Sequence, residues 1–112
     1  MIDNNAWLSL TTEDTLDPTL PICDPHHHVW VQRTGVIPQH YLLEDFLADI
    51  DSGHNVVSTI FIECGTMYST AEPIAFRPIG ETQFANKIAA MSASGHYGKT
   101  RVAAGIVGTA YL

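Results

Sequence analysis

The sequence predicts an α/β fold built on a parallel sheet, and three observations carry the prediction. Apolar runs of strand length alternate with stretches of helical periodicity, in the order strand, helix, strand, helix, strand. The strand candidates are apolar on both faces, as expected of parallel strands with cover on each side. A cluster of histidines stands at the end of the first strand candidate, where sheets of this class place their ligands.

Residues 1–20 carry no sustained period and mix Thr, Asp, Asn and Pro around Trp7, Leu8 and Leu10, which predicts an irregular arm pinned to the body by Trp7. Leu20-Pro21-Ile22-Cys23-Asp24 then reads as a short buried strand running into the histidines. After a loop bearing Gly35 and Pro38, Leu42, Leu43, Phe46, Leu47 and Ile50 recur at helical spacing. Glu44, Asp45, Asp49 and Asp51 take the other face, and Gly53 is the expected stop. Val56–Ile62 is β-branched and aromatic, hence a strand. A connection rich in Thr, Ser and Pro runs from Gly65 to Gly80. A second helix fits Glu81 to about Ser94, with Phe84, Ile88 and Met91 on one face and Gly95 as its stop. Val102–Val107 closes the series as a small, apolar strand. Right-handed crossovers would put both helices on one side of the sheet. Two units result, an arm over 1–20 and one α/β unit over 21–112, and the pattern suits equally the start of a barrel or of a doubly wound sheet.

Composition excludes several classes of function. With 46% hydrophobic and 15% charged residues, the chain has enough apolar surface to offset the entropy of ordering. Its net charge is −7, and no Lys or Arg precedes Arg33, so no basic stripe can be assembled for nucleic acid or an anionic membrane. No run approaches the roughly 20 apolar residues that cross a bilayer, and the first residues lack the basic start and apolar core of a signal peptide. Cys23 and Cys64 both lie in apolar runs and read as core thiols in a reducing compartment, which implies a cytoplasmic address.

The densest chemistry is Asp24-Pro25-His26-His27-His28-Val29-Trp30. On a regular strand His26 and His28 share a face and His27 points away. Two imidazoles on one face can hold one metal ion if further ligands arrive from elsewhere. Asp24, two residues before His26, would share their face and could fix a histidine tautomer by hydrogen bonding.

That stretch resembles the D-x-H-x-H-x-W opening of the amidohydrolase superfamily, in its amidohydrolase-related branch. Three later stretches are similar as well: Phe61-Ile62-Glu63-Cys64, Arg77-Pro78-Ile79-Gly80-Glu81-Thr82, and Arg101-Val102-Ala103-Ala104-Gly105-Ile106-Val107-Gly108. The resemblance implies a (β/α)₈ TIM barrel, of which this chain would be the first three βα-type units, truncated before the rest. It implies a hydrolase that opens a small lactone or similar carbonyl substrate with activated water. His26 and His28 would be metal ligands for a divalent ion such as zinc, and further ligand histidines and a catalytic aspartate would come from later strands. Thus no catalytic residue can be assigned within the chain.

Around that site, Glu63 at the end of the second strand, taken to share a face with Thr59 and Phe61, would face the barrel mouth as a substrate contact or outer metal partner. Trp30 would wall a small-molecule pocket. Arg77 would pair a substrate carboxylate through its planar fork, and Glu81 would open the second helix, where its charge suits the dipole. The alternative is a truncated, non-catalytic piece, or a weak metal-binding or interaction module, that self-associates through an exposed sheet edge.

Overall fold

A computed structural model describes residues 4–31 and 40–112 of the chain. The loop of Gly35 and Pro38 lies outside them. Along the described residues run α1 (Asn4–Leu8), β1 (Pro21–His27), α2 (Leu43–Ile50), β2 (Asn55–Ile62), α3 (Ile79–Ala93) and β3 (Arg101–Val107), with short 3₁₀ turns at Ser9–Thr11 and Ile74–Phe76. The three strands form one parallel sheet in the order β1-β2-β3. Among the described residues no helix is long and apolar enough to cross a membrane.

Local features set both ends of α2 and the end of α3. Leu42 has no capping side chain of its own, and Asp45 supplies the cap by accepting the Leu42 N–H at 2.9 Å. Glu44 and Asp45 also set negative charge in the first turn of α2. Past its end, Gly53 takes φ +109°, a conformation that costs glycine nothing, and a Cβ there would stand 2.6 Å from Thr15 Oγ1. The α3 helix stops where Gly95 adopts φ +83°. Its last turn is tied to β3 through Ser92, whose hydroxyl donates to Thr100 O at 2.8 Å and accepts from Val102 N at 2.9 Å.

Both helices lie on the same side of the sheet. Leu43 and Phe46 of α2 and Ala85 and Ile88 of α3 close over Phe61, Val102, Ala103 and Val29 in one buried cluster. The α3 face that enters this core differs from the expected one. Glu81, Ala85, Ile88 and Ser92 are buried along it, while Phe84 and Met91 are only half-buried at its margins. On the other side of the sheet Ser58, Ile60 and Ile62 of β2 are half-buried and Cys23 of β1 is exposed. Cys23 is therefore not the core thiol its apolar neighbours suggested. Nor does Trp7 anchor the arm: it is 59% exposed, and α1 buries no residue.

Three register shifts shape the sheet, the first of them between Ile22 and Cys23. In β3, Arg101 and Gly105 pair with Ser58 and Ile60, so four steps on β3 match two on β2. Ala103 takes φ +53° at that point, and its N–H leaves the ladder to donate to Thr59 Oγ1 at 2.9 Å. In β1, Asp24 pairs with Thr59 and His27 with Phe61, so one residue is extra around Pro25. Proline has no N–H to give the ladder, and a bulge is where a strand tolerates it.

Candidate functional site

The bulge at Pro25 decides which side chains meet at the end of β1. His27 comes to lie with Phe61 on the helix-covered side. It is 6% exposed, stacked on Phe46 with ring centroids 4.3 Å apart, and its Nε2 is 2.9 Å from Thr59 Oγ1. Burial among these groups lowers its pKa from 6.5 to about 4, against an opposing pull from the Asp24 carboxylate, so His27 is neutral at physiological pH. Its Nδ1 is buried without a hydrogen-bond partner among the described residues.

His26 and His28 turn to the opposite side, as strand alternation requires. Their Nε2 atoms stand 3.3 Å apart, with the rings at 90° and their centroids 5.0 Å apart. The Nδ1 of His28 is 2.8 Å from Ile62 O. A carbonyl only accepts, so this nitrogen carries the proton and the His28 Nε2 keeps its lone pair for a ligand. Two nitrogens at about 2.0–2.1 Å from one tetrahedral ion stand about 3.3 Å apart, so the observed spacing suits two ligands of a zinc-like ion. No set of three or more His, Cys, Asp or Glu side chains gathers to hold a metal among the described residues. The pair thus offers two donors of a larger set.

Asp24 does not join them. Strict alternation would place it beside His26 and His28, but the extra residue at Pro25 shifts it to the side of His27. Its Oδ1 accepts from the His26 backbone N–H at 3.1 Å rather than from an imidazole. Glu63 also departs from expectation. Thr59 and Phe61, whose face alternation assigns to it, are buried under the helices and away from the pair. The Glu63 side chain is exposed, and its N–H extends the sheet by donating to Val107 O at 2.9 Å.

Trp30 and Arg77 serve their own loops. Trp30 is half-buried and stacked on Tyr41 at 5.0 Å, with backbone N–H···O bonds of 2.9 Å in both directions. It fastens the chain beyond the histidines to the start of α2. The Arg77 Nε donates to Glu72 O at 3.1 Å, and its carbonyl accepts from both Ser69 N and Gly80 N. That guanidinium is turned into the loop between β2 and α3.

Two buried groups near the pair carry little signal in the sequence. Alternation marks His27 only as the histidine that points away from the other two. Glu81 was placed correctly in the first turn of a helix, yet it is 1% exposed and reaches back to the end of β2. The preceding Gly80 was the available signal, because glycine at a helix start marks a close backbone approach. A cavity of about 560 Å³ lies at the opposite end of the strands, lined by Thr19, His54, Asn55, Tyr97, Lys99 and Thr100 among others. It is remote from the histidine pair, at the end where sheets of this class seldom place chemistry.

No protein-family model matches the chain, and no curated protein or solved structure is detectably similar to it.

Proposed function

We propose that the chain is the opening part of a hydrolase of the amidohydrolase-related type, acting on a small lactone or similar carbonyl compound. The observation that carries the reading is the His26–His28 pair, 3.3 Å between Nε2 atoms at the C-terminal end of β1. Its position agrees with the motif pattern, and in (β/α)₈ barrels the C-terminal ends of the strands are where chemistry is done. The parallel order β1-β2-β3 with helices on one side is also compatible with the first units of such a barrel. In that architecture the open side, with Ile60, Ile62 and Gly105, would become the barrel interior.

His26 and His28 would hold a divalent metal, which would supply Lewis-acid polarisation of the substrate carbonyl. The chain's own part is to fix one tautomer: Ile62 O takes the Nδ1–H of His28, leaving Nε2 free to coordinate. In this reading the remaining ligands and the base that activates water come from other strands of the barrel.

Titration with zinc tests the pair directly. The expected result is binding in the range of about 1–100 µM that weakens below about pH 6, because ligand imidazoles must be neutral. His26→Ala and His28→Ala should each abolish it; unchanged binding in both would reject the site. The barrel is tested by the intact mass of the native polypeptide together with chelator-sensitive lactone hydrolysis. A native mass equal to the 12.3 kDa of this chain would remove that reading.

A further inference from the structure

Glu81 is a buried carboxylate whose placement the metal pair alone does not explain. Removing a carboxylate from water is costly, so its surroundings must hold it there for a reason. It stands in the first turn of α3, where the helix dipole favours negative charge. Its Oε2 accepts two backbone N–H bonds, from Cys64 at 3.0 Å and from Thr66 at 2.9 Å. Gly80 makes this reach possible. A Cβ at that position would lie 2.3 Å from Met67 O and 2.6 Å from Ser69 N, so only glycine lets the loop rest on the helix start.

The segment that Glu81 holds is the one that holds the end of β1. Ile62 O receives the Nδ1–H of His28 at 2.8 Å. Thr66 Oγ1 accepts from Val31 N at 3.1 Å, and Cys64 Sγ lies 3.6 Å from Val29 O. Residues 62–66 therefore contact the chain at 28, 29 and 31, and a single carboxylate oxygen on α3 fixes two of their backbone N–H groups.

We propose that Glu81 is the positioning residue of the histidine pair, setting through Cys64 and Thr66 the backbone that selects the His28 tautomer and places its ring. The proposal rests on the reading of His26 and His28 as metal ligands. Glu81 acts through residues 62–66, and its bonds there come from one oxygen only. Oε1 has no hydrogen-bond partner among the described residues. A glutamine whose carbonyl replaces Oε2 can accept the same two N–H bonds, so Glu81→Gln is the conservative rescue.

The test combines ¹⁵N spectra of the imidazoles, recorded without metal at about pH 8 where histidine is neutral, with zinc titration. The wild-type chain should show His28 as the Nδ1–H tautomer. Glu81→Ala should give a mixture of tautomers and weaken zinc binding about tenfold, the loss typical of removing an outer partner of a ligand histidine. Glu81→Gln should keep the tautomer and hold affinity within about threefold. Should Glu81→Ala fail to fold, Glu81→Asp carries the test. It keeps the carboxylate but draws its oxygens back from the N–H groups of Cys64 and Thr66, and should shift tautomer and affinity in the same direction by about threefold. A folded Glu81→Ala, or Glu81→Asp in its place, with wild-type tautomer and affinity would overturn the proposal even where the pair binds zinc. Conversely, if the wild type binds no zinc the metal reading falls, and the tautomer spectra still decide the role of Glu81.

Discussion

The two sides of the sheet treat the same side chain in opposite ways. On the helix-covered side His27 is 6% exposed, stacked on Phe46 and neutral. On the open side His26 is exposed and His28 half-buried, with their Nε2 atoms directed at each other. Three consecutive histidines thus have two fates, decided by strand alternation and by which face the helices cover. One side uses the imidazole as a flat packing surface, while the other leaves its lone pairs available. The same division runs along β2, where Thr59 and Phe61 are buried and Ile60 and Ile62 are half-buried.

The largest effect should come from emptying the covered side. Phe61 is fully buried at the centre of the core cluster, and Phe61→Ala should cost about 3–5 kcal/mol of stability in urea unfolding. Ile62→Ala, one residue along on the open side, should cost about 1–2 kcal/mol because that side chain is only partly removed from water. Equal losses would mean that both sides are packed alike.

Next in size is Gly80→Ala, which presses a methyl group against the backbone of Met67 and Ser69. Backbone cannot swing aside as a side-chain tip can, and about 1–3 kcal/mol should be lost. Gly105→Ala offers the internal comparison. There the close atom is the Cδ1 of Ile60, at 2.8 Å, which can move by a rotamer change, so the cost should be visibly smaller.

The protonation of His27 should be measurable as a slope of stability with pH. In the unfolded chain its pKa is near 6.5, and in the fold burial lowers it to about 4. Between these values the unfolded state binds more protons, so stability falls as pH drops from 6.5 towards 4 and levels off outside that window. After allowance for solvent screening the loss is on the order of 2 kcal/mol. Urea midpoints for the wild type and His27→Gln across this range isolate the contribution from that of the carboxylates. If the two slopes coincide, His27 titrates normally and the covered side is wetter than its burial implies.

Much of the fold was legible because its elements are carried by local pattern. The β-branched run at 56–62 and the spacing of Leu43, Phe46, Leu47 and Ile50 each specify an element without outside help, and Gly53 and Gly95 mark helix ends by taking positive φ. The site was legible only where alternation is unbroken. His26 and His28 share a side as expected, but Asp24 does not, because one extra residue at Pro25 reverses its face. The proline was the visible warning. Glu81 was hidden for another reason: a carboxylate in a helix's first turn looks solvated unless the loop that covers it is known, and that loop is long range.

The smallest stability effect belongs to the open side, and there it separates structure from chemistry most cleanly. His26 is exposed, and its ring stands edge-on to that of His28. His26→Ala should therefore shift stability by no more than about 0.5 kcal/mol, the usual range for a surface substitution. The same change should remove zinc binding, since it deletes one of two converging donors. A variant of wild-type stability that has lost its metal would show that the open side is held in place by the covered side and contributes little to it. A large loss of stability would instead make the imidazole pair a structural hydrogen bond, with His26 Nε2–H donating to His28.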